Sequence, residues 1–157
     1  MPRPLGEQVV VLTGASSGIG RETAVYLARR GATLVLAARN EDGLRETARL
    51  VEQAGGRALV VPTDVGDREQ VDALARAAVE KFGRIDTWIN DAGVSVYATV
   101  EDATHADIEQ VLRTNLLGAI FGMKAAVPVM KRQGGGTVVN VASVLGKFSV
   151  PLAAAYC

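Results

Sequence analysis

The stretch VVVLTGASSGIG, Val9 to Gly20, decides the fold. Its first part, Val9 to Thr13, is apolar and mostly β-branched with no polar alternation, the pattern of a strand buried on both faces. Its second part is rich in glycine and serine and opens a helical stretch that runs to Arg30. The three glycines have separate tasks. Gly14 permits a tight turn off the strand, Gly18 lets a ligand approach the backbone closely, and Gly20 lets the helix pack near the strand. Free amides at a helix start, aided by the helix dipole, attract phosphate charge. Ser16 and Ser17 add hydroxyl donors or cap the helix.

A glycine triplet alone is a weak signal and describes a simple turn equally well. This one follows a strand, precedes a helix and sits in the first strand–helix–strand unit, which makes it a strong signal for a dinucleotide. The residues expected to hold the phosphates are Gly14, Ser16, Ser17, Gly18, Ile19 and Gly20.

Outward from this stretch, Gly31 ends the helix and Thr33 to Ala38 reads as a second buried strand. Glu41 to Ala54 is helical and stops at Gly55-Gly56; Ala58 to Val61 is a third strand, closed by Pro62. Val71, Leu74, Ala75, Ala78, Val79 and Phe82 form one apolar stripe at the helical period, with Asp67 as N-cap and Gly83 as stop. Ile85 to Asn90 is a fourth strand containing Trp88, a core or packing residue. A long helix is expected from His105, at its cap or surface, to Gln133. Its inner stripe reads Ile108, Val111, Leu112, Leu116, Ala119, Ile120 and Met123, while Leu117, Phe121 and Ala125 add apolar surface elsewhere. A helix apolar on several sides fits a homo-oligomer interface, or cover from segments outside this sequence. Thr137 to Val141, after three glycines, is a fifth strand.

Strands alternate with helices and no hairpin turns intervene, which predicts a parallel sheet covered on both faces. Right-handed crossovers favour a Rossmann-like, doubly wound α/β fold; the strand order expected is 3-2-1-4-5. Residues 1–157 carry no repeat or linker and are expected to form one dinucleotide-binding domain. Hydrophobic residues make up 48% and charged ones 22%, an ordinary globular balance. Seventeen basic residues match 17 acidic ones, so charge gives no reason to expect nucleic acid or an anionic membrane. The single Cys157 can close no internal disulfide, which fits a reducing cytoplasm. Met1 to Gly6 lacks the apolar region of a signal peptide, and no apolar run is long enough to span a bilayer. No residue cluster suggests a metal.

The spacing Gly-x-x-x-Gly-x-Gly, within TGASSGIG, resembles the short-chain dehydrogenase/reductase family. Asp64-Val65, Asn90-Asp91-Ala92-Gly93, Asn115, Ser143 and Tyr156 follow in the family's order, so the resemblance covers the whole chain. It implies that Asp64 and the Val65 amide contact adenine, and that Asn90 with the Ala92-Gly93 backbone lines the nicotinamide half. Asp91 departs from the family's usual second asparagine, keeping acceptors but losing donors. The second strand ends at Ala38 with Arg39 just past it, so no carboxylate holds a ribose 2′-hydroxyl and a guanidinium suits a 2′-phosphate. NADP(H) is therefore expected over NAD(H).

For chemistry, Ser143 falls at the C-terminal end of the fifth strand, where open α/β sheets bind ligands. Its hydroxyl suits a substrate oxygen. The resemblance implies Tyr156 as general acid/base and Asn115 as organiser of water and backbone near the site. The reaction so implied is hydride transfer between nicotinamide and a small carbonyl/alcohol substrate. Val94 to Tyr97, with Lys147 and Phe148, are expected to line the substrate pocket. A free phenol has a pKa of about 10, and only about one in a thousand is ionised at pH 7. The family's lysine four residues after the tyrosine would fall beyond Cys157. The expectation is a protein fragment or truncated coding sequence, inactive in steady state. A nucleotide-binding chain without chemistry is the alternative.

Overall fold

Five strands lie side by side, all parallel, in the computed structural model, which describes residues 3–157. Met1 and Pro2, part of the stretch read for a leader, lie outside the described residues. The strands are β1 (Val9–Thr13), β2 (Thr33–Ala38), β3 (Arg57–Pro62), β4 (Thr87–Asn90) and β5 (Thr137–Asn140). Their order is β3-β2-β1-β4-β5, the order expected from the sequence. β1 is central and buried at all five positions. Chain direction reverses its winding between β1 and β4, and in such sheets the crevice outside the strand ends there receives ligands.

Helices α1 (Gly18–Ala28) and α2 (Glu41–Gln53) cover one face, with Leu44 and Val51 of α2 in the same core as Val10, Leu12, Leu34 and Leu36 of the sheet. On the other face α3 (Arg68–Phe82), through Leu74, and α5 (Gly118–Arg132) share a core with Val11, Val35, Ile85 and Trp88. The stripe expected on α3 is the buried one: Val71, Leu74, Ala75 and Ala78 face the sheet. Asp67 caps it through the Glu69 and Gln70 amides, and Gly83 closes it at φ 78°.

Strand ends differ slightly from the sequence reading. Pro62 is the last residue of β3, paired with Ala38, rather than a stop before it. β3 is an edge strand, where a missing amide is tolerated. Ile85 and Asp86 precede β4, whose pairing begins at Thr87. Asp86 is still held to the sheet: its amide donates to the Val9 carbonyl, and its carboxylate accepts the Val9 amide at 2.9 Å.

The long helix needs a larger correction. It is not continuous from His105 to Gln133. α4 (His105–Val111) passes into a π-helical segment, Leu112–Leu117, and α5 resumes at Gly118. Thr104, not His105, caps α4, in a reciprocal box with Asp107. The extra residue per turn rotates the helix face. The buried row is Thr114, Gly118, Gly122, Ala126 and Met130, four residues apart. Leu112 and Leu116, expected inside, are 47% and 53% exposed. Small residues win the inner face because the helix lies close on its neighbours. A Cβ at Gly118 would sit 2.8 Å from Val65 Cγ2, and one at Gly122 would be 2.5 Å from Trp88 Nε1.

Candidate functional site

The phosphate loop leaves β1 at Thr13. Its hydroxyl accepts both the Asp91 and Ala92 amides, each at 3.2 Å. The end of β1 and the segment after β4 are thereby joined. Gly14 turns the chain at φ 71°, and any Cβ there would lie 2.8 Å from the Ala92 nitrogen. A side chain at Gly20 would strike the Gly14 carbonyl, so α1 packs on the loop as the glycine spacing implies. Ser17 occupies the N-cap of α1, yet its hydroxyl makes no capping bond. The first α1 amide with an outside carbonyl partner is that of Arg21, which donates to Ser17.

This loop walls a cleft of about 510 Å³. Gly14, Ser16, Ser17, Gly18 and Ile19 line one side, and Ala38, Arg39 and Asn40 line the end beside β2. Thr63, Asp64, Val65, Asp91 to Val94 and Thr114 complete it. Arg39 is exposed, and among the described residues it is the one cation of the lining. Asn40 caps α2, its Oδ1 accepting the Gly43 amide at 3.0 Å. Asp64 Oδ1 accepts the Gly66 amide in a local turn. Val65 is buried against Gly118.

A second cavity of about 830 Å³ shares Ile19, Asp91, Ala92, Gly93 and Val94 with the first. Its lining brings together Asn115, Ser143 and Tyr156, the three residues expected to carry chemistry. Ser143 Oγ accepts the Leu145 amide at 3.2 Å. Tyr156 reaches the cavity because its segment is tied back across the site. The Ala98 amide donates to the Leu152 carbonyl at 2.9 Å, and Ala153 beside it is fully buried. The opposite wall is Leu116, Ala119, Ile120 and Met123, the stripe that the sequence reading assigned to the core. Val94, Ser95 and Tyr97 line this cavity, whereas Val96, Lys147 and Phe148 do not. Phe148 is 56% exposed.

Asn90 serves mainly the scaffold. Its Oδ1 accepts Trp88 Nε1, and its Nδ2 donates to Asn140 Oδ1 and to the Ala119 carbonyl. Only its edge borders the second cavity. Asp91 sits where the cavities meet, with Oδ2 near Gly20, and burial pushes its carboxyl above the usual range. Thr13, Thr114 and Asn140 escaped the sequence reading. Thr13 passed as a strand residue, Thr114 stood in an expected helix without a motif, and Asn140 pairs with Asn90 across 50 residues.

The family profile described as short chain dehydrogenase matches residues 8–157. The uncharacterized oxidoreductase YxnA of Bacillus subtilis (strain 168) is 42% identical over 145 residues, 92% of this chain and 41% of YxnA. The crystal structure of NAD+-bound xylitol dehydrogenase superposes with a TM-score of 0.93 at 34% identity, covering 98% of this chain and 60% of that one. A metagenomic short-chain oxidoreductase in complex with NADP superposes at 0.92 with 33% identity, covering 98% of this chain and 70% of that one. The chain spans about half the length of the curated relatives it matches. No helix is long and apolar enough to cross a membrane among the described residues. With the phosphate loop, the sheet order and the matched span in agreement, the chain belongs to the short chain dehydrogenase family.

Proposed function

We propose that residues 1–157 form the nicotinamide-dinucleotide-binding domain of an NADP(H)-dependent oxidoreductase acting on a small carbonyl/alcohol substrate. The observation that carries this reading is the wall that the two cavities share. One is walled by the phosphate loop and the other by Ser143 and Tyr156, and they meet at Asp91 to Val94. The chain fits such a cofactor: Gly18 lines the cleft with nothing within 4 Å of where a side chain would start, so a ligand can come close to the loop backbone. Gly14, Ser16, Ser17, Gly18, Ile19 and Gly20 would hold the pyrophosphate. Asp64 and Val65 would border adenine, and Asn90, Ala92 and Gly93 the nicotinamide half.

The nicotinamide, when bound, supplies the hydride chemistry. Ser143 would orient the substrate oxygen by hydrogen bonding, and the Tyr156 phenol would give or take its proton. Asn115, bonded to the Val94 backbone, would organise water and backbone near the site. Arg39, exposed just past β2, which ends in Ala38 rather than a carboxylate, favours a 2′-phosphate. One neighbour is bound to NAD+ and another to NADP, so the family alone leaves that choice to local charge.

A second reading rests on one observation. Among the described residues no lysine or arginine lines the cavity that holds Tyr156. A phenolate there would lack a cation to favour it. On this reading the chain binds the dinucleotide without steady-state turnover. Titrating the protein with NADPH and NADH, before and after Arg39→Asp, tests the first step. The expected result is tighter NADPH binding that reverses in the variant; an unchanged preference rejects the NADP assignment. Turnover assays with the same preparation separate the two readings. Cytoplasmic residence and a homo-oligomer through residues 105–133 belong to the proposal; Leu112, Leu116 and Leu117 supply exposed apolar surface on that segment.

A further inference from the structure

One buried polar unit lies behind the cleft rather than in its walls. Thr47, on the inner face of α2, is fully buried. Its hydroxyl lies 2.9 Å from the Ala15 carbonyl and 3.0 Å from that of Gly43, four residues earlier. Arg21 Nε donates to this hydroxyl at 3.1 Å, and Arg21 Nη2 donates to the Ser16 carbonyl at 2.6 Å. A hydroxyl has one proton. Gly43 already serves as an ordinary helical acceptor, so the proton counts most at Ala15.

Two successive carbonyls of the phosphate loop are therefore gripped from behind, by side chains from two helices. The consequence follows from peptide geometry. In a trans peptide the carbonyl and the next amide point in opposite directions. Holding the Ala15 and Ser16 carbonyls toward α1 and α2 turns the Ser16 and Ser17 amides the other way, toward the cleft. Neither amide has a backbone acceptor among the described residues. The Ala15 amide is fixed as well, at 3.2 Å from the Ala37 carbonyl. α2 closes on the loop at Gly43, where a Cβ would lie 2.9 Å from the Ser16 carbonyl.

We propose that Arg21 and Thr47 are positioning residues that aim the Ser16 and Ser17 amides at the pyrophosphate of the dinucleotide, by holding the two preceding carbonyls from behind. This rests on the dinucleotide reading of the cleft. The bracket also joins the loop to the first turn of α2, which starts two residues after Arg39. Oriented donors that need no rearrangement on binding are worth more than donors ordered at that moment.

The test is calorimetric titration of NADP+ and NAD+ into wild type, Thr47→Val, Thr47→Ser and Arg21→Met, each checked by thermal unfolding. Thr47→Val and Arg21→Met are expected to weaken the tighter cofactor about ten-fold, the effect of one lost charge-assisted bond. Thr47→Ser keeps the hydroxyl and is expected to bind within about two-fold of wild type. If the valine variant fails to fold, Arg21→Met decides, because Arg21 is only half-buried. Unchanged affinity in the folded variants, or a serine variant as weak as the valine one, overturns the proposal. A wild-type protein that binds neither cofactor removes the dinucleotide reading and this proposal together.

Discussion

Asn115 and Val94 exchange two hydrogen bonds: the Val94 amide donates to Asn115 Oδ1 at 2.9 Å, and Asn115 Nδ2 donates to the Val94 carbonyl at 2.9 Å. The asparagine sits in the π-helical segment and mimics a neighbouring strand for the loop after β4. It holds in place the stretch that both cavities share. Asn115→Leu removes both bonds and is expected to cost about 2 kcal/mol of stability. Asn115→Asp keeps one acceptor and loses the donor, so it should fall between. Urea unfolding gives the order; a leucine variant as stable as wild type would count against this account.

Gly122 tests the close approach of α5. Helix propensity alone favours Gly122→Ala by about 1 kcal/mol. Against this, the new methyl would collide with Asn90 Oδ1 and Trp88 Nε1. Overpacking of this kind typically costs about 1–3 kcal/mol, and here it also disturbs the Trp88–Asn90 bond. The expected result is a lower thermal midpoint, whereas a raised midpoint would show that propensity wins.

Asp91 gives a pH signature. Burial raises its carboxyl, so the folded state binds its proton more tightly than the unfolded chain. The stability it contributes is complete below about pH 4, the unfolded value, and is lost as pH rises through the higher folded value. Asp91→Asn removes that loss. The variant should be more stable than wild type at pH 7, with the difference shrinking as pH falls toward about 4. Chemical unfolding at several pH values measures it, and a difference that grows on acidification rejects it.

Asp86 has the opposite sign. Burial pushes its carboxyl up, but the Arg84 guanidinium, the Val9 amide and Arg3 outweigh that and hold it below its ordinary value. Its contribution is present above about pH 4 and is lost as pH falls through the lower folded value. Asp86→Asn is expected to cost about 2 kcal/mol at pH 7, the scale of a charge-assisted bond in a shielded position. In acid the cost should fade. A cost independent of pH assigns the effect to shape rather than charge.

The boundary between legible and hidden features follows interaction range. The turn at Gly14 and the packing at Gly20 were readable because they depend on residues a few positions apart. Asp67 and Gly83 were readable as helix ends for the same reason. Ser143 and Tyr156 were readable through their resemblance to family motifs, and the fold brings both to one cavity. The face of α5 was not readable. Hydrophobic periodicity selected Leu116, Ala119, Ile120 and Met123, which line the second cavity. The buried row is rich in glycine and alanine, residues that carry little hydrophobic signal but permit contact with Trp88 and Val65.

The amino-acid sequence by itself determined the parallel sheet, its order and the position of the phosphate loop. Those depend on local period, turn chemistry and the handedness of crossovers. Only the tertiary structure decided what stands behind the loop and what faces the cavities. Thr47 reaches Ala15 across 32 residues and Asn115 reaches Val94 across 21. One π-helical segment, which carries no sequence signature of its own, turns an apolar stripe from the core to the site. Such placements depend on how close two packed elements can approach, and steric fit is settled only when both are present.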